Sequence, residues 1–176
     1  MKSLIDPNWM RRLKILLTGA LVSTSIFSFR ANAVWANPDN NKNPDNNKIA
    51  TAIQTLKESD QRWIQINLSE QNLIAWEGNK PVYAITISSG KKSTPTRVGT
   101  FKIQTKLKKT RMRGIGYDVA NVPHTMYYQG GYAIHGAYWH KRFGTPVSHG
   151  CVNLAPNHAK WIFEWADVGT PVVVKK

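Results

Sequence analysis

The chain has one cysteine among 176 residues. No disulfide can close within it, and the paired cysteine spacings of a structural zinc site are missing. Acidic side chains are scarce, with 10 Asp and Glu against 24 Lys and Arg. Beyond residue 36 no apolar run is long enough to cross a bilayer as a helix. Residues 37–48 read NPDNNK twice in succession, without one aromatic or β-branched side chain, so they offer no core of their own. The single thiol, Cys151, then has three readings: a buried inert group, half of an intermolecular bridge, or a reactive group.

What is present begins with the amino terminus. Arg11, Arg12 and Lys14 precede a mostly apolar stretch over residues 15–29, and small residues at Ala31, Ala33 and Ala36 follow. This pattern predicts a secretory signal over residues 1–36, cut after Ala33 or Ala36, with an uncleaved anchor as the alternative. The expected location is exported, in the periplasm or cell wall, and membrane-anchored if the signal stays on. Residues 37–61 are expected to form a flexible spacer with a short helix over 49–60, leaving 62–176 as the folded domain. From residue 49 onward there are 17 Lys and Arg against 7 Asp and Glu. Such an excess favours anionic partners, and export removes nucleic acid from among them.

The domain reads as mainly β. RWIQINL at 62–68 alternates, offering Trp63, Ile64, Ile66 and Leu68 to a core. LIAWEG, PVYAITIS, TFKIQTK and PVVVKK are further short strands parted by turn residues. TMYYQGGYAIHG at 125–136 predicts a hairpin turning at Gly130 and Gly131. One segment has the helical period: Ala159, Ile162, Phe163 and Ala166 share a face, Pro156 suits the first turn, and Gly169 suits the stop. Trp161 and Trp165, four apart, are expected to pack. One helix therefore follows the cysteine in an otherwise stranded chain.

SHGCVNL at 148–154 sets the thiol in a particular context. Gly150 removes a side chain beside the sulfur, so a substrate backbone can approach. Backbone N–H groups around Gly150 and Cys151 could hold a developing oxyanion. A thiol becomes a nucleophile beside a base, and His135, in YAIHG, reaches it if the two segments pair. Strand alternation would send His149 to the opposite face from Cys151, where it shapes the site or polarises substrate. The competing reading is a zinc site drawing on Cys151, His135, His149 and either His140 or His124.

IHG followed after a loop by SHGCVNL resembles the signature of the L,D-transpeptidase catalytic domain (YkuD-type) of bacterial cell-wall enzymes. STPTRVGTFKI at 93–103 is similar to the family's TP-x-G-x-F stretch, VPHTMYYQGGYAIHG to its substrate-flanking strands and VGTPVVV to its closing strand. The resemblance spans residues 62–174 and implies a mixed, β-sandwich-like fold. It implies Cys151 as acyl-accepting nucleophile and His135 as base, its ring oriented by the carbonyl of Gly136. Ser148, His149 and Gly150 then shape the site and its oxyanion environment. Many members carry Arg two residues after the cysteine, where this chain has Asn153, still able to bind substrate but without charge. Tyr128 and Met126 are expected to flank the substrate, and Tyr127, Tyr132, Tyr138 and Trp139 could line a groove.

The implied reaction is transfer of a peptidoglycan stem tetrapeptide to Cys151 with release of D-Ala, then to an amine, giving a 3→3 cross-link. Water or a lipoprotein lysine as acceptor gives the carboxypeptidase or anchoring variants. A binding module without catalysis is the reading from another class. No cofactor, metal or stable protein partner is implied. Lys102, Lys106, Lys108, Lys109, Arg111 and Arg113 form a basic run, read either as an attractor for an anionic wall polymer or as a solvated loop.

Overall fold

The computed structural model describes residues 44–176. The expected signal over 1–36, its cleavage after Ala33 or Ala36 and the spacer up to residue 43 lie outside the described residues. In chain order the elements are α1 (Pro44–Lys57), β1 (Arg62–Asn67), β2 (Asn72–Glu77), β3 (Lys80–Thr86), β4 (Gly99–Lys102), β5 (Thr105–Gly114), β6 (Tyr117–Gln129), β7 (Tyr132–Gly136), β8 (Val152–Leu154), α2 (Pro156–Trp165) and β9 (Pro171–Lys175). They make two mixed sheets, one ordered β3-β2-β1-β9-β4 and the other β5-β6-β7-β8. The mainly β, sandwich-like class expected from the sequence is the one observed.

Period-two alternation decides which side chains meet. Ile64 and Ile66 on β1 and Val172 and Val174 on β9 join Met126, Tyr128, Ile134, Val152 and Leu154 of the second sheet in one buried core. α2 adds Ala159, Ile162 and Ala166 to it. The opposite face of the first sheet presents Trp63 and Val173 to α1, which answers with Ile49, Ile53 and Leu56. β9 is thus buried on both faces, as its run of three valines requires. It pairs parallel to β1 and antiparallel to β4.

Four expectations change. The helix expected over 49–60 starts at Pro44 and takes in most of the second NPDNNK copy. A proline at the first helical position and Asp45 in the first turn suit a helix start. TFKIQTK is not one strand: β4 ends at Lys102, Ile103 drops into the core, and β5 opens at Thr105 in the other sheet. The basic run continues along β5, an edge strand, rather than a loop. Arg111 and Arg113 there reach Asp118 across the hairpin at 2.5 and 3.5 Å. Finally, α2 stops at Trp165, and Gly169, at φ +93°, serves the turn into β9 instead.

Trp63 anchors the α1 side. It is fully buried, stacks on Trp76 at 5.4 Å and donates its indole N–H to Gly78 O at 2.9 Å. Trp63→Ala leaves a large cavity, and urea denaturation of the full chain is expected to show a loss of about 3–5 kcal/mol.

Candidate active site

β7 and β8 run parallel, with Ile134 opposite Val152 and His135 opposite Asn153. This register sorts the side chains. Ile134, Val152 and Leu154 point into the core, so His135 and Asn153 face the other way, and Cys151, in the bend just before β8, opens onto the same side. All three line one cavity of about 330 Å³. Met112, Tyr117 and Val119 wall it from the β5–β6 hairpin, and Trp139, His140, Arg142 and Val147 wall it from the loop between β7 and β8.

His135 is 2% exposed. Its Nδ1 lies 3.0 Å from Gly136 O. A carbonyl only accepts, so Nδ1 carries the hydrogen and Nε2 of the neutral ring is left as a base. Burial pushes the ring's pKa down to about 4, against a partial upward pull from the Gly136 carbonyl and a further lowering by His140. Trp139 stacks on this ring at 5.8 Å. Gly136 has no room for a side chain, since a Cβ there would meet Pro123 Cγ at 2.8 Å and Ala159 Cβ at 3.3 Å. The close seat of α2 on β7 thereby fixes the carbonyl that orients the histidine.

The Cys151 thiol donates to Gly131 O at 3.6 Å. Burial raises its pKa and a hydrogen bond from the Ala133 backbone lowers it in part. Both members of the pair are therefore neutral at rest, a thiol and an imidazole. They do not form a standing ion pair.

The turn before Cys151 is built by small polar groups. Ser148 Oγ donates to Cys151 O at 2.6 Å and accepts the Gly150 N–H at 3.0 Å. Thr96 Oγ1 donates to Gly150 O at 2.8 Å and accepts the Gly90 N–H at 2.8 Å. Thr94 Oγ1 donates to Ser148 O at 3.1 Å. The threonines of STPT thus clamp SHGC from 54 residues away. Gly150 sits at φ +120°, and a Cβ there would lie 2.9 Å from Tyr132 Cε1. Gly150→Ala combines backbone strain with that clash, costing about 1–3 kcal/mol. Thermal unfolding should show the loss, and thiol acylation should slow because the turn carrying Cys151 has to move.

Several expected residues stand elsewhere. Met126 and Tyr128 are 0% and 1% exposed in the central core and do not line the cavity, because the last part of β6 turns them inward. Tyr117 and Val119, alternating at the start of β6, face the cavity in their place, a placement the alternation of YDV could have signalled. His149 is not on the face opposite Cys151. Residues 149–151 form a bend before β8, so strand alternation does not apply, and His149 lines the same cavity, stacked on Tyr117 at 4.7 Å. The Gly150 N–H, expected to serve an oxyanion, is already held by Ser148. Of the groove aromatics, Trp139 lines the cavity while Tyr138 is 56% exposed and donates to Ala120 O. Asn153 lines the cavity wall with its amide 3.0 Å from His140 Nε2. Among the described residues no group of three or more His, Cys, Asp or Glu is placed to hold a metal ion.

The family model described as the L,D-transpeptidase catalytic domain matches residues 61–174. L,D-transpeptidase 1 of Mycobacterium tuberculosis is 26% identical over 147 residues, covering 74% of this chain and 59% of that protein. A solved L,D-transpeptidase from Mycobacterium smegmatis is similar at 27% identity and a TM-score of 0.63, over 66% of this chain and 59% of the other. The catalytic domain of the E. faecium L,D-transpeptidase is similar at 28% identity and a TM-score of 0.60, over 66% of this chain and 98% of that domain. The chain spans between 59% and 64% of the length of the curated relatives it matches.

Proposed function

The chain belongs to the L,D-transpeptidase catalytic domain family, and from that premise we propose that it transfers peptidoglycan stem peptides through a thioester on Cys151. The observation that supports this reading is the meeting of the Cys151 thiol and the neutral, Nε2-basic His135 in one cavity. In the first half-reaction His135 Nε2 takes the thiol proton as sulfur attacks the carbonyl of the third stem residue. With the Gly150 N–H engaged, the Cys151 N–H is the backbone donor left for the developing oxyanion. Collapse breaks the amide bond, and the departing D-Ala amine takes the proton from His135. In the second half-reaction an amine of another stem attacks the thioester, gives up its proton to His135, and the thiol is restored with a 3→3 cross-link formed. Two easier substitutions replace one difficult one.

Export places such an enzyme beside its substrate, and exposed Lys108 and Lys109 on β5 suit the approach of anionic wall material. Intact mass spectrometry of the full chain after incubation with a disaccharide-tetrapeptide tests the proposal. The expected gain is the donor less D-Ala. Addition of a second stem then distinguishes an amine acceptor from water. Binding of peptidoglycan with neither adduct nor D-Ala release would move the chain to the class of wall-binding modules.

A further inference from the structure

The cavity beside Cys151 contains one arginine, Arg142, on the loop between β7 and β8. Its peptide unit is held at both ends. The Arg142 N–H donates to His140 Nδ1 at 3.2 Å, and its carbonyl accepts from Ser88 Oγ at 2.7 Å. Ser88 is in turn locked to the cysteine-bearing strand, since its N–H and carbonyl exchange two 2.9 Å hydrogen bonds with Asn153. No acidic side chain among the described residues forms an ion pair with Arg142, whose residue is exposed. A cationic residue of the cavity wall is therefore carried on a backbone fixed relative to the thiol.

The ring of His140 decides how this holding works. Nδ1 accepts a backbone N–H, so it bears no hydrogen. Burial and the nearby Arg142 lower the pKa of the ring, so near neutral pH it is uncharged and its hydrogen sits on Nε2. The Asn153 atom 3.0 Å away must then accept. In the structure Nδ2 occupies that place and Oδ1 is buried without a partner. Turning the amide by 180° brings Oδ1 to the Nε2 hydrogen and removes the donor–donor conflict. An arginine at position 153 has no acceptor to offer that hydrogen. The asparagine thus fits a site in which the positive charge comes from position 142, with position 153 holding the histidine that holds it.

We propose that Arg142 is the carboxylate-binding residue of the donor site, with His140 and Asn153 as its positioning residues. The proposal rests on the acyl-transfer reading above and extends it to donor recognition. Arg142 takes a carboxylate of the acyl donor, either that of the leaving terminal residue or one on the side chain of the third residue. A guanidinium beside a partly enclosed carboxylate makes charge-assisted hydrogen bonds that an amide in its place cannot match.

The test uses the full-length chain carrying Cys151→Ala, so that donor stays intact, with calorimetric titration of three peptides. These are the free-acid tetrapeptide, its C-terminal amide and the form amidated on the third side chain. One amidated form is expected to bind at least tenfold more weakly, and which one identifies the carboxylate. Adding Arg142→Gln should abolish the difference, whereas Arg142→Lys should retain part of it. Adding His140→Ala should weaken the free acid and leave the discriminated amide unaffected. Equal binding of all three peptides, or a difference that survives Arg142→Gln, overturns the subsite. Nitrogen-15 spectra of histidine-labelled protein should show His140 protonated on Nε2, and protonation on Nδ1 overturns the positioning role. Failure of the acyl-transfer reading has another signature, since wild type then forms no thioester whichever peptide binds.

Discussion

Cys151→Ala is expected to eliminate the covalent donor adduct completely while leaving the fold nearly as stable as wild type. Cys151 is the sole thiol of the chain, so no neighbour can take its place. A methyl group has no lone pair to attack a carbonyl, and the remaining His135 would have only water to activate. The structural cost is small. The thiol packs at the margin of a minor cluster with Met112, Val122 and Ala133 and is only partly buried as a residue. Removal of one sulfur there should cost under about 2 kcal/mol. Intact mass and thermal unfolding, measured on one preparation, separate the two effects. An adduct that persists at full stoichiometry would remove Cys151 from its role.

His135→Gln should slow acylation by about a hundredfold to ten-thousandfold, the usual contribution of a positioned general base. Glutamine can still meet Gly136 O through its amide N–H but cannot accept the thiol proton. The environment also predicts how wild type responds to pH. With the histidine pKa near 4, the base stays available well below the usual imidazole range, so the acid limb of acylation should lie near pH 4 instead of near 6.5. The thiol pKa is raised, so alkylation by iodoacetamide should remain slow at neutral pH and accelerate only above the ordinary thiol range. A resting ion pair would give fast alkylation down to acid pH and would contradict the neutral pair.

The same histidine links stability to pH. Between pH 6.5 and about 4 the unfolded chain binds a proton at His135 that the folded chain refuses. The unfolded state then holds more protons, so stability rises with pH across this window and falls as pH drops through it. The full displacement corresponds to about 3 kcal/mol. Unfolding midpoints of wild type should fall more steeply from pH 6.5 to 4 than those of His135→Gln.

The strands with strict alternation and the helix with clear 3.6 spacing were legible from residues alone. β1, the hairpin at Gly130 and Gly131 and α2 are such cases, and β9 was legible from its run of three valines. The boundary between β4 and β5 was not, because a chain passing from one sheet to another keeps the same apolar rhythm through Ile103. α1 was underestimated because NPDNNK contributes a helix start without contributing core, and composition alone cannot tell a helix start from a spacer. At the site, the meeting of Cys151 and His135 in one cavity was legible because the motif surrounds them. Met126 and Tyr128 were misplaced because Met126, Tyr127, Tyr128 and Tyr132 are all apolar enough for either face, and only the register of β6 against β7 decides. Tyr117 and Arg142 were missed because each reaches the cavity from a separate segment through tertiary placement.

The threonine clamp on the cysteine turn also determines when the thiol acquires its special surroundings. The hydrogen bonds from Thr94 and Thr96 span 54 residues, and so does the one from Ser88 to the loop carrying Arg142. Contacts of such sequence separation close only as the whole domain condenses. Until then Cys151 is an ordinary solvated thiol on a mobile chain, open to mixed disulfides and oxidation and unaccompanied by any base. A newly made chain is therefore chemically vulnerable at its one thiol, and maturation of the site is inseparable from completion of its folding.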